Sequence, residues 1–165
     1  MTARSERRLV APSLDVLVQS PLWQNQPDAE RIVREAIAKT AAACPDTEGE
    51  ISVVLTDDDG IRALNKQWRR IDKPTNVLSF PASKAAAPML GDIVVAYQTL
   101  ARECEDERKD FLHHLAHLCV HGFLHLIGYD HQSEAEAESM ERLESAILTR
   151  LGVPDPYLDR DLRDA

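Results

Sequence analysis

The chain has 165 residues, of which 44% are hydrophobic, and a formal charge of −9. No continuous apolar run approaches the roughly 18 residues that span a bilayer, so a membrane-spanning helix is excluded, and the acidic balance excludes a protein that coats nucleic acid along its whole surface. The three cysteines, Cys44, Cys104 and Cys119, are odd in number and lack a C-x-x-C spacing, which excludes a disulfide framework.

Residues 1–12 lack apolar periodicity and read as a flexible N-terminus; with no apolar stretch ahead of a small-residue cleavage site, the expected location is the cytoplasm. "SLDVLVQS" alternates as a strand should. "AERIVREAIAKTAAAC" places Ile32, Val33, Ala36, Ile37 and Ala41 at helical spacing, and "EISVVLT" from Glu50 to Thr56 is a short β-branched strand. Thr56 or Asp57 caps a following helix with Ile61, Leu64 and Trp68 on one side, and Trp68 reads as its core anchor. Its other face opens a basic island, "RALNKQWRRIDK", with five basic residues and one acid. "NVLSF" and "GDIVVAY" are two more strands, and "ASKAAAP" between them is a loop. A helical region from about Thr99 to Ile127 breaks near Lys109 and Asp110 and ends at Gly128. Ser133 and Glu136 form an S-x-x-E start for a last helix whose Met140, Leu143, Ile147 and Leu151 face inward. The order predicts an α/β fold: one domain over 13–153, a mixed sheet of about four strands covered by helices, a metal site on the C-terminal helix and following loop, and a tail at 154–165.

All six histidines fall in "HHLAHLCVHGFLHLIGYDH". Within it, His121, His125, Gly128 and His131 have the spacing H-x-x-x-H-x-x-G-x-x-H. His121 and His125 are one helical turn apart and project from one face, Gly128 lets the chain leave the helix through a left-handed conformation, and the return delivers His131. Three imidazoles with one tetrahedral position open match catalytic rather than structural zinc, although other divalent transition metals accept such ligands. The same spacing marks the metzincin proteases, where a glutamate after the first histidine is the general base. Here that position is Gly122, so the metal site is retained and the usual peptidase chemistry is not. His117 is one turn before His121, but some 12 Å separates it from His125 along the helix, too far for one ion. His117 and His114 are candidates beside the site, and His113 is a surface residue. Cys119 points away from His121 and reads as a small apolar side chain.

"HGFLHLIGYDH", together with "LNKQWRRIDKPTNVLSFP" and "LGDIVV" in that order, resembles the bacterial YbeY family of metal-dependent endoribonucleases over roughly Leu14 to Tyr157. The resemblance implies a single-strand-specific, zinc-dependent nuclease of ribosomal RNA maturation, acting at the 3′ end of small-subunit RNA and in ribosome quality control. Its partners would be ribosomal RNA, the small subunit and associated proteins. It implies metal ligands His121, His125 and His131, an important arginine at Arg69 and a functional histidine at His114. From the residues, Arg69 offers paired hydrogen bonds to phosphoryl oxygens. Asp130, beside the third ligand, is either a proton acceptor or a turn residue, and Asp92 either braces the site or begins its strand. Two rivals stand beside this reading: a metalloprotease with an unconventional base, and a non-enzymatic ribosome-associated metal-binding factor.

Overall fold

The computed structural model of the protein describes residues 12–45 and 47–157; the terminal segments 1–11 and 158–165 lie outside the described residues. Strands Ser13–Val18 (β1), Glu50–Thr56 (β2), Val77–Pro81 (β3) and Met89–Ala96 (β4) form one sheet in the order β1-β2-β4-β3. β1 and β4 flank β2 in parallel, and β3 is antiparallel to β4 with Ser79 opposite Ile93. This is the mixed four-stranded sheet the strand pattern predicts, and it leaves β3 as an edge strand.

The helices are Ala29–Ala43 (α1), Asp58–Arg69 (α2), Tyr97–Glu107 (α3), Phe111–Leu126 (α4) and Glu134–Arg150 (α5). The long helical region divides near the expected place: Arg108 takes a left-handed conformation (φ 54°), and the Asp110 side chain accepts from the His113 N–H at 3.0 Å to start α4. Tyr97 opens α3 rather than ending the strand. Ser133 caps α5 by accepting from the Glu136 N–H at 3.1 Å, while Glu136 reaches back to Gln132 N at 3.3 Å.

One face of the sheet carries Ile51, Val53, Leu55, Ile93 and Val95, all buried against apolar residues of α1, α4 and α5. Each such side chain contributes about 1.5–3 kcal/mol by leaving water. Trp23 closes this core near one end: its ring meets Tyr97 and Phe111 edge-on, and its Nε1 donates to the Thr56 carbonyl at 2.8 Å. The opposite face is covered over part of its area. Among the described residues α2 lies over it, through Ile61 and Leu64 against Leu78, Val94 and Ala96. A cavity of about 1010 Å³ opens between Leu64, Trp68 and Arg69 of α2 and Val54, Phe80, Asp92 and Val94 of the sheet. Trp68 is therefore not a core anchor. It lies on the face that the helical period indicates, but it overhangs this cavity and is 64% exposed.

Candidate metal centre

α4 is buried on nearly all sides, and its water-facing stripe at four-residue spacing is His113, His117, His121 and His125. Gly128, at φ +105°, turns the chain after the helix. Nothing lies within 4 Å of a Cβ built there, so the need is for backbone freedom rather than space. His131 then returns toward the helix. The ligand-type nitrogens of His121, His125 and His131 all lie within 4.8 Å of one another, and His121 Nε2 and His125 Nε2 are 3.0 Å apart. Nitrogens about 3.3 Å apart are what a tetrahedral site with metal bonds of 2.0–2.1 Å requires, so the donor set fits a single ion with little movement. Burial, followed by the neighbouring His121 and His131, holds His125 below the ordinary imidazole range, which favours the neutral ring a metal needs.

Behind the three histidines lies a carboxylate that pattern reading passes over. Glu144 of α5 is 1% exposed; its Oε1 is 2.6 Å from His121 Nδ1 and its Oε2 is 2.9 Å from His117 Nε2. Tyr157, in the segment expected to be a tail, donates its hydroxyl to the same Oε2. Burial alone would raise the pKa of Glu144, but hydrogen bonds from His117 and His121 outweigh it and bring it down to about 2. The signal in the sequence was an acid within the inward stripe of Met140, Leu143 and Ile147.

Gly122 does not face this centre. A Cβ there would stand 3.0 Å from Ile93 Cγ2 and 3.1 Å from Ser79 Oγ, and Ser79 Oγ donates to the Gly122 carbonyl at 3.1 Å. The helix thus lies directly on β3 and β4, with no room for the glutamate of a metzincin.

Arg69 comes from α2, on the other side of β3. Its Nη2 donates to the Ser79 carbonyl at 2.9 Å and its guanidinium carbon sits 5.6 Å from the Phe80 ring centroid. It lines one cavity of about 500 Å³ together with His121, His125, Asp130 and His131. Asp130 Oδ1 accepts from the His131 N–H at 2.8 Å, and the His131 ring nitrogen Nδ1 is 3.8 Å from the same oxygen.

His114 is outside that cavity. It is buried, its Nε2 is 2.9 Å from Glu103 Oε1, and Asn76 Nδ2 donates to both oxygens of Glu103 at 2.9 and 3.2 Å. Burial would raise the pKa of Glu103, yet the bonds from His114 and Asn76 prevail and lower it. With His113 and His117, His114 lines a separate cavity of about 240 Å³. Asp92 faces the other side of the sheet, where its carboxylate accepts from Ser52 Oγ. Cys119 is fully buried, which pushes its thiol up to about 12 and leaves it the apolar role expected of it.

The model of the Endoribonuclease YbeY family matches residues 19–152. The chain is 56% identical over 163 residues to the Endoribonuclease YbeY of a Bradyrhizobium species, covering 93% of this chain and 96% of that one. It is 55% identical over 164 residues to that of Rhodopseudomonas palustris, covering 93% and 97%. A solution structure from Thermotoga maritima aligns at 26% identity and a TM-score of 0.49, covering 84% of this chain and 91% of that one. A family model that spans most of the chain and relatives identical at more than half of the aligned positions agree, and the chain belongs to the endoribonuclease YbeY family.

Proposed function

We propose that the protein is a metal-dependent endoribonuclease that cuts unpaired segments of RNA, with ribosomal RNA of the small subunit as its substrate and Zn²⁺ as its metal. The observation that carries this reading is the meeting of His121, His125, His131 and Arg69 in one cavity, three metal-type ligands opposite one guanidinium. The name borne by the relatives, Endoribonuclease YbeY, supports the reaction class. The endoribonuclease domain expected to carry it is residues 13–153, and the cytoplasm is the compartment where such RNA is met.

His121, His125 and His131 would hold the ion, which when bound supplies Lewis-acid polarisation of a phosphoryl oxygen. Arg69 has donors to spare beyond the one engaged by Ser79, and its planar fork takes two further phosphoryl oxygens as negative charge develops on them. Asp130 is the carboxylate among the described residues lining the cavity, and in this reading it would take the proton of the attacking hydroxyl. Exposed Lys66, Arg70 and Lys73 extend the positive charge from Arg69, whereas Arg62 is engaged by Asp72 at 2.7 Å. Trp68 offers an open ring face beside Arg69, where an unpaired base stacks. His114 enters this reading as a brace between α3 and α4 through Glu103.

The test is protein of defined metal content given single-stranded RNA, structured RNA and a peptide, with the His121→Ala variant alongside to exclude trace nucleases. Cleavage of single-stranded RNA that disappears in the variant is the expected result. Cleavage of peptide but not RNA would favour the protease rival, and metal binding with no cleavage of either would favour a non-enzymatic ribosomal factor.

A further inference from the structure

Three side chains converge on the buried carboxylate of Glu144, and one of them is a metal-ligand histidine. Glu144 Oε1 meets His121 at Nδ1, the ring nitrogen turned away from the cluster, while His121 Nε2 is the atom that approaches His125. An ionised carboxylate only accepts, so the 2.6 Å contact places the His121 proton on Nδ1 and leaves the lone pair on Nε2. The second oxygen is held by His117 Nε2 and the Tyr157 hydroxyl, which lie 3.3 Å from each other. Neither of these touches the three-histidine cavity. What they do is fix the carboxylate: with Oε2 engaged from two directions, Glu144 cannot rotate Oε1 away from His121.

We propose that Glu144 is a positioning residue for the metal centre, setting the tautomer and ring direction of His121, and that His117 and Tyr157 are the clamp that holds Glu144 in place. The proposal rests on the reading of His121, His125 and His131 as metal ligands. It extends the working site beyond the cavity, to α5 and to Tyr157 near the end of the described chain. It also gives His117 a task that its spacing denies it as a ligand.

The experiment uses the full-length protein. Nitrogen-15 NMR of the metal-free wild type at mildly alkaline pH reads which ring nitrogen of His121 carries the proton, and Nδ1 is expected. Chelator competition then gives the Zn²⁺ affinity of the wild type, Glu144→Gln and Tyr157→Phe, with circular dichroism as the check on folding. Loss of the carboxylate should weaken Zn²⁺ binding by about 10–100-fold, the range for a group orienting a metal-ligand histidine, and Tyr157→Phe should weaken it less. A proton on Nε2 in the wild type overturns the proposal without recourse to any variant, so a Glu144→Gln protein that fails to fold does not shelter it. Wild-type binding matched within twofold by folded Glu144→Gln overturns the positioning role alone. A wild type that binds no Zn²⁺ overturns the metal reading and this proposal together.

Discussion

Arg69 donates from Nη2 to the main-chain oxygen of Ser79 at 2.9 Å, while the Ser79 hydroxyl donates to the Gly122 carbonyl at 3.1 Å. One residue of the edge strand thus joins the helix that carries the guanidinium to the helix that carries the histidines. The separation of the guanidinium and the histidine cluster is set by strand geometry, not by two mobile loops.

Arg69→Glu should therefore lower RNA cleavage by about 100-fold or more, the scale of losing one oxyanion-stabilising donor, without changing metal content. Arg69→Lys should recover only part of the rate, because an ammonium lacks the paired donors of a guanidinium. Single-turnover cleavage alongside metal analysis checks this, and undiminished cleavage by folded Arg69→Glu would remove the residue from the mechanism.

Removing metal with a chelator should abolish cleavage, and adding back Zn²⁺ should restore it. His121→Ala should weaken Zn²⁺ binding by more than the 10–100-fold typical of a change behind the ligands. Equal zinc stoichiometry in the variant and the wild type at limiting metal would reject His121 as a ligand.

Gly122→Glu tests whether a protease-like base fits. Its Cβ would meet Ile93 Cγ2 at 3.0 Å in a region where Ile93 is wholly buried, and the carboxylate would be carried into the same core. Overpacking and a buried charge together should cost more than about 3 kcal/mol, with no gain of peptidase activity. Denaturant unfolding gives the number; a loss under about 1 kcal/mol would mean that α4 can lift from the sheet.

Trp68→Ala should leave stability within about 0.5 kcal/mol, since the ring is 64% exposed, and should weaken binding of unpaired RNA by about 1–3 kcal/mol for the loss of one stacked base. Fluorescence anisotropy with single-stranded and duplex RNA separates the two. An equal loss on both would point to general electrostatics instead of stacking.

Asp58 links the starts of α2 and α3: its carboxylate accepts from Thr99 N at 3.0 Å, Thr99 Oγ1 at 2.7 Å and Arg102 Nη2 at 2.7 Å. Burial raises its pKa, but these bonds outweigh burial and the net direction is down. A carboxyl whose folded pKa lies below the unfolded one, about 3.9, stabilises the fold above that value and loses the effect as pH falls through the folded pKa. Asp58→Asn should cost about 1–2 kcal/mol at neutral pH and flatten the fall in stability below about pH 4. Unfolding curves for the two proteins that stay parallel from neutral to acid pH would contradict this.

Much of the fold was legible because its signals are local. β2 reads from its β-branched run, α1 from its period, and the break before α4 from Lys109 and Asp110. The histidine triad was legible for the same reason: His121, His125 and His131 belong to one helix and its exit turn, so helical geometry alone brings them together. Trp68 was misplaced because a period identifies the face of a helix but not what lies beneath it, and here that is a cavity. Ser79 and Tyr157 carried no local sign, since the side-chain partner of the first is 43 positions away and those of the second are 13 and 40 away. Glu144 stood in plain view on an apolar stripe, where a buried acid demands a partner that only the tertiary fold names.

Gly122 also governs something larger than the absence of a base. Successive residues of an α-helix are turned by about 100°, so seating position 122 against Ile93 and Ser79 fixes the roll of α4 about its own axis. His121 is then swung to the rim of the sheet, beside the edge strand and toward the side from which Arg69 arrives. The aim of the clustered histidines is in this sense an output of core packing: a missing side chain serves as the index mark by which the helix is dialled into place.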